Sequence, residues 1–270
     1  MTSQYYSGSV YSSLAIATAM TCAFFQSPNL ARGDVNAVHP APAAAHHITA
    51  GTTPEAALKE LQDGNARFTK GTVKHSHQDE ARRKELTLGQ KPQTIILSCS
   101  DSRVSPEVVF DQGLGDVFVI RVAGNILGAA QVASIEYAVE HLGTRLILVM
   151  GHESCGAVTA AAKTPPDKTA GSPDLDTLVS SIRPSFDGLT QLEFNSALED
   201  KKLSKLVNLN VNYVAKRLVE RSAIVRHAVE SGNVKVARGV YQLESGIVQI
   251  NGSSESDPHS PARVLAGEKH

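Results

Sequence analysis

Apolar residues along this chain follow two rhythms. Thr94-Ile95-Ile96-Leu97, Val117-Phe118-Val119-Ile120 and Leu146-Ile147-Leu148-Val149-Met150 are short runs bounded by turn residues, with no polar face. Such runs read as strands buried on both sides, as in a parallel sheet. They place strands over residues 93–98, 117–122 and 145–150. Between them the spacing changes to three and four: Val132, Ile135, Val139 and Leu142 share one face of a helix predicted over 131–142 and capped by Gly143. Ser105-Pro106-Glu107 opens a shorter helix, and small residues 157–162 carry another.

The flanks complete the pattern. Thr53-Pro54-Glu55 is a helix start, with Thr as N-cap and Pro at the first helical position. Ala57, Leu58, Leu61 and Phe68 give that helix its apolar face, Gly64 predicts a bend and Gly71 a stop. Residues 78–88 predict a charged second helix. Residues 174–231 read as helical with breaks near Pro184 and Gly188, the stretch 203–229 most clearly. Residues 234–241 and 247–250 are strands joined across Glu244-Ser245-Gly246, a hairpin signal. The expected fold is α/β: a mainly parallel central β-sheet flanked by helices, with an N-terminal helical arm and a C-terminal antiparallel edge strand.

Residues 1–52 depart from this pattern. Residues 10–25 are mostly apolar or small, long enough for a secretory signal core and short for a membrane span. Val35-Asn36-Ala37 offers a small-residue cleavage site, although no Lys or Arg precedes Arg32. Cys22 suggests lipidation, yet Ala19-Met20-Thr21 is a poor lipoprotein site. His39-Pro40-Ala41-Pro42-Ala43-Ala44-Ala45-His46-His47 reads as a tether. The expected organisation is a signal or targeting segment and linker over 1–52, a catalytic domain over 53–252 and a polar tail over 253–270. The expected location is periplasmic or otherwise outside the cytoplasm, with a lipid or signal anchor as a variant; the alternative is a cytoplasmic protein with a disordered N-terminal extension.

A formal net charge of −1 argues against a nucleic-acid or anionic-membrane partner. Three cysteines in 270 residues are too few and too widely spaced for a disulfide framework. Two of them emerge where strands end. Ser98-Cys99-Ser100-Asp101-Ser102-Arg103 follows the first strand, and Gly151-His152-Glu153-Ser154-Cys155-Gly156 follows the third. Ligands in open α/β sheets bind beyond the carboxyl ends of the strands. Cys99, Asp101, His152 and Cys155 form a four-ligand zinc inventory. Asp101 and Arg103, two apart, face the same side of a locally extended loop and can pair. His141, closing the 131–142 helix, suits the helix dipole, and Tyr137 on that helix is expected in the core or at an interface.

Cys-x-Asp-x-Arg, followed some fifty residues later by His-x-x-Cys, resembles the β-class carbonic anhydrases. The resemblance covers roughly residues 54–250 and takes in Gly64-Asn65-Ala66-Arg67-Phe68, Val122-Ala123-Gly124-Asn125 and Glu136-Tyr137-Ala138-Val139-Glu140-His141-Leu142-Gly143. It implies that Cys99, His152 and Cys155 are permanent ligands of one Zn2+ per subunit. Asp101 then either takes the fourth position or pairs with Arg103 and leaves that position to water. Gln112 matches the substrate-binding position. The implied reaction is the reversible hydration of carbon dioxide to bicarbonate and a proton, by attack of zinc-bound hydroxide, in a homodimer or higher homo-oligomer. Two thiolates donate more charge than imidazoles, so activity is expected to rise toward alkaline pH.

Other readings keep the same zinc. One is a hydrolase of a related heterocumulene, carbon disulfide or carbonyl sulfide. Another is a closed four-ligand module that senses bicarbonate. Some members of the family carry an inhibitory bicarbonate pocket of Trp, Arg and Tyr. Arg121 and Tyr241 match two of its parts, but the chain has no Trp, so an open site is expected. An exported enzyme would interconvert inorganic carbon outside the cytoplasm.

Overall fold

Each of the apolar runs has both faces to bury, and one sheet between two helical layers satisfies all of them. The computed structural model describes residues 52–251. Strands β1 (Thr94–Ser98), β2 (Val117–Arg121), β3 (Leu146–His152), β4 (Lys235–Tyr241) and β5 (Val248–Asn251) lie in the order β2-β1-β3-β4-β5. The first four are parallel, and β5 returns antiparallel to β4. The expected α/β fold with an antiparallel edge is the one observed.

Alternate side chains divide between two cores, as the two-residue period of a strand requires. Ile95, Leu97, Ile147, Val149, Val236 and Val240 face one core; Ile96, Leu146, Leu148, Met150, Ala237 and Tyr241 face the other. The first core is covered by α4 (Ala129–His141), α5 (Gly156–Lys163), α6 (Pro173–Ile182), α7 (Gln191–Glu199), α8 (Ser204–Arg221) and α9 (Ala223–Glu230). The second is covered by α1 (Pro54–Thr69) and α3 (Pro106–Val109). The chain leaves β1 through α3 on one face to reach β2, then crosses through α4 on the other face to β3. The carboxyl ends of β1 and β3 therefore form the topological switch point of the sheet.

Three expectations need correction. Gly64 produces no bend. It lies inside α1 where the helix meets the α3 turn, and a Cβ there would stand 1.8 Å from the Phe110 carbonyl oxygen. The second helix is shorter than 78–88: α2 spans Glu80–Glu85, a 3-10 turn Leu86–Leu88 follows, and neither buries a residue. Residues 203–229 form two helices. Ser222 stops α8 and caps α9 by accepting from the Val225 amide, while its hydroxyl donates to Glu136 at 2.6 Å.

The root of the N-terminal arm is docked on its own chain. Asn65, buried in α1, donates to the carbonyls of Val109 and Gly246 and accepts from the Val248 amide. Arg67 meets Asp111 at 2.6 Å. Tyr137 is half exposed and stacks beside His141 with ring centres 5.1 Å apart, so it is not a core residue. The segment 10–25, Cys22, the tether and the polar tail lie outside the described residues. Among the described residues no helix is long and apolar enough to cross a membrane.

Candidate metal centre

Parallel pairing of β1 with β3 matches Ser98 to Met150, so the residues just beyond this register lie side by side. Cys99 is the next residue after β1, His152 is the last of β3, and Cys155 caps α5. One ligand atom from each lies within 4.8 Å of the others, and all three residues are buried. The sulfurs stand 4.0 Å apart. Two sulfurs on one tetrahedral zinc, each at about 2.3 Å, stand roughly 3.8 Å apart.

The imidazole shows what is missing. His152 Nδ1 faces the Glu153 carbonyl oxygen at 2.9 Å. A carbonyl only accepts, so Nδ1 carries the proton and Nε2 keeps a lone pair. That Nε2 is fully buried and has no hydrogen-bond partner. An orphaned buried acceptor beside two sulfurs fits a metal ion, and two thiolates with one neutral imidazole fit zinc.

The thiols titrate as one unit. The hydrogen bond from Cys155 pulls the Cys99 thiol well below its usual range; burial opposes this, and the Gly124 and Asp101 amides reinforce it. Cys155 moves up, because Cys99 and burial both disfavour a second thiolate. A divalent cation removes that conflict by accepting both sulfurs as anions.

Asp101 does not join the ligand group. Arg103 grips it with a two-pronged ion pair, Nε to Oδ1 at 2.9 Å and Nη2 to Oδ2 at 2.8 Å, and the Arg103 amide adds a third bond at 3.0 Å. The Arg103 side chain, ahead of the opposing effect of burial, holds the Asp101 carboxyl far below the ordinary range. Its Oδ2 nevertheless lies 3.8 Å from His152 Nε2. A carboxylate held ionised by Arg103, and so an acceptor of hydrogen bonds, stands beside the ligand group.

Gln112 is placed elsewhere. Its amide donates back to the Phe110 carbonyl at 2.9 Å. It lines a cavity of about 240 Å3 with Phe68, Val73, His75 and Val108, to which Cys99, Asp101, His152 and Cys155 contribute nothing. Arg121 also has work outside the expected pocket: Nε donates to the Cys99 carbonyl at 3.0 Å and Nη2 to the Asp101 carbonyl at 2.6 Å, fixing the loop that carries both side chains. A guanidinium closing an otherwise apolar strand was the available signal. The Gly124 amide, which donates to Cys99 Sγ at 3.3 Å, left no such signal, because a backbone donor has no side-chain identity.

Comparison with known proteins gives one answer. The carbonic anhydrase family profile matches residues 94–248. Carbonic anhydrase 2 of Mycobacterium tuberculosis is 38% identical over 200 residues, covering 72% of this chain and 91% of that protein. The carbonic anhydrase of Mycolicibacterium smegmatis is 37% identical over 199 residues, covering 74% and 94%. Among solved structures, a β-carbonic anhydrase of Aspergillus fumigatus superposes with a TM-score of 0.60 at 26% identity, over 80% of this chain and 99% of that one. A tetrameric β-carbonic anhydrase of Sordaria macrospora superposes with a TM-score of 0.57 at 26% identity, over 72% and 96%.

Proposed function

This chain belongs to the β-class carbonic anhydrases, and from that premise we propose that it hydrates CO2 reversibly at one zinc ion per subunit held by Cys99, His152 and Cys155. The carrying observation is the buried His152 Nε2, left without a partner beside two sulfurs 4.0 Å apart. When bound, zinc supplies a Lewis acid that makes water a nucleophile near neutral pH.

The chain's own residues supply the rest. Glu153 fixes the His152 tautomer through its carbonyl. Arg103 keeps Asp101 ionised and turned away from ligation. Asp101 then accepts a hydrogen bond from the attacking oxygen, which orients that oxygen's remaining lone pair toward carbon. This engagement speaks against the closed four-ligand module, in which Asp101 would have to leave Arg103. Gln112 stays in the proposal as the residue that hydrogen-bonds substrate on the strength of the resemblance alone, since within one chain it lines a cavity apart from Cys99, His152 and Cys155. Its replacement by Ala should raise KM with little change in kcat, the signature of lost ground-state binding.

The assembly is proposed to be a homodimer or a higher oligomer. The half-buried apolar edge formed by Val117, Phe118, Val119 and Ile120 supports it, since β2 ends the sheet with no strand paired to its outer side among the described residues. Export from the cytoplasm is proposed from the apolar stretch 10–25 alone. Metal content by elemental analysis alongside stopped-flow CO2 hydration tests the whole reading. Zinc near one per chain with chelator-sensitive activity supports it; an active metal-free protein overturns it.

A further inference from the structure

Asn210 is an amide on the apolar face of α8, among Leu206, Val207, Val211 and Val214, and is 1% exposed. A buried amide is costly unless it is hydrogen-bonded. Asn210 makes one bond: Nδ2 donates to the Gly124 carbonyl at 2.9 Å, while Oδ1 has no partner. That bond falls on an unusual residue. Gly124 has φ +65, and a Cβ on it would stand 2.7 Å from Ile182 and 3.0 Å from Ala157. Its own amide is the donor to Cys99 Sγ. Asn125 after it is also left-handed, at φ 44, and buried. Glycine takes this conformation without strain, and α8 adds a hold on the turn through Asn210.

We propose that Asn210 is a positioning residue for the metal centre. It holds the Gly124 carbonyl, one peptide unit beyond the Gly124 N–H, which limits rotation about that residue and so keeps the N–H aimed at the Cys99 sulfur. With Arg121 holding the Cys99 carbonyl, the ligand is anchored at backbone and at sulfur before any metal arrives. The N–H also withdraws charge from the thiolate, which leaves the metal a stronger Lewis acid. The inference rests on the zinc reading above and adds a role for α8, which contributes no ligand.

The test uses the full chain with Asn210→Leu, which keeps the size and removes the donor, and Asn210→Ala. Zinc affinity is measured by competition with a chromophoric chelator, and Gly124 amide exchange is measured on the metal-free protein. Both variants should bind zinc at least roughly tenfold more weakly, with faster exchange at Gly124 and unchanged protection in the rest of α8. After cobalt substitution, their thiolate-to-metal charge-transfer band should shift to lower energy, because the sulfur has lost its donor. Folded variants with wild-type affinity and an unmoved band would overturn the proposal. So would failure of both variants to fold, which would make Asn210 a determinant of the fold alone. A wild-type chain that takes up no zinc would instead remove the metal reading, and Gly124 exchange would then decide the inference by itself.

Discussion

At the scale of single residues, the centre works by giving each polar group one task. Cys99, His152 and Cys155 gather their donor atoms in one place, and Asp101 is occupied by Arg103. Arg103→Ala should therefore lower kcat by tenfold to a hundredfold, order of magnitude, with zinc content unchanged; rate and metal content measured on the same sample check this. Zinc uptake should weaken as pH falls. Binding needs both sulfurs as anions, and Cys155, raised by Cys99 and by burial, must release its proton to solvent as the metal binds. Chelator competition at several pH values reads that slope, and a flat response contradicts it. That Cys99, His152 and Cys155 come together was legible in the sequence, because side-chain chemistry at two strand ends is visible in letters. What held them was not: the Glu153 carbonyl and the Gly124 amide are backbone groups. Arg121 was visible but read as part of an inhibitory pocket, whereas its guanidinium pins the Cys99–Asp101 loop.

At the scale of elements, the sheet brings the ligands together and the helices keep it in register. Asp111, just after α3, ties down the N-terminal arm. It accepts from Arg67 and from the amides of Lys74 and His75, and its side chain is 1% exposed. Burial pushes its carboxyl up, but Arg67 and those two amides outweigh burial and hold it below the ordinary range. A depressed folded pKa contributes stability that is fully present above the unfolded value of about 3.9 and is lost as pH falls through the folded one. Asp111→Ala should cost about 2–4 kcal/mol near neutral pH, and its gap from wild type should close only below about pH 4. Denaturant melts across pH measure both. Gly64→Ala should cost at least as much, because its Cβ would strike the Phe110 carbonyl and push α1 off the sheet. Strand existence was legible from apolar runs. The Ser222 break was overrun by periodicity: Leu218 and Val225, on either side of it, are both buried against one core, so the apolar pattern continues while the backbone does not.

At the scale of the whole molecule, β2 closes the sheet on an apolar edge to which no other strand pairs among the described residues. Sedimentation at micromolar concentration should give a dimer or larger species, and a monomer would contradict the proposed assembly. A mainly parallel sheet with an antiparallel edge was legible in the alternation of apolar runs and helices; the order of its strands was not, and a partner's surface leaves no pattern in one chain's letters. The central claim is that a metal gripped by Cys99, His152 and Cys155 carries CO2 hydration, and the most direct test is stopped-flow CO2 hydration on chain stripped of metal and titrated with zinc. The stripped chain should show negligible activity, restored in proportion to added zinc up to one ion per subunit, with no restoration in His152→Ala. Full activity in the stripped chain, or restoration in that variant, would contradict the claim.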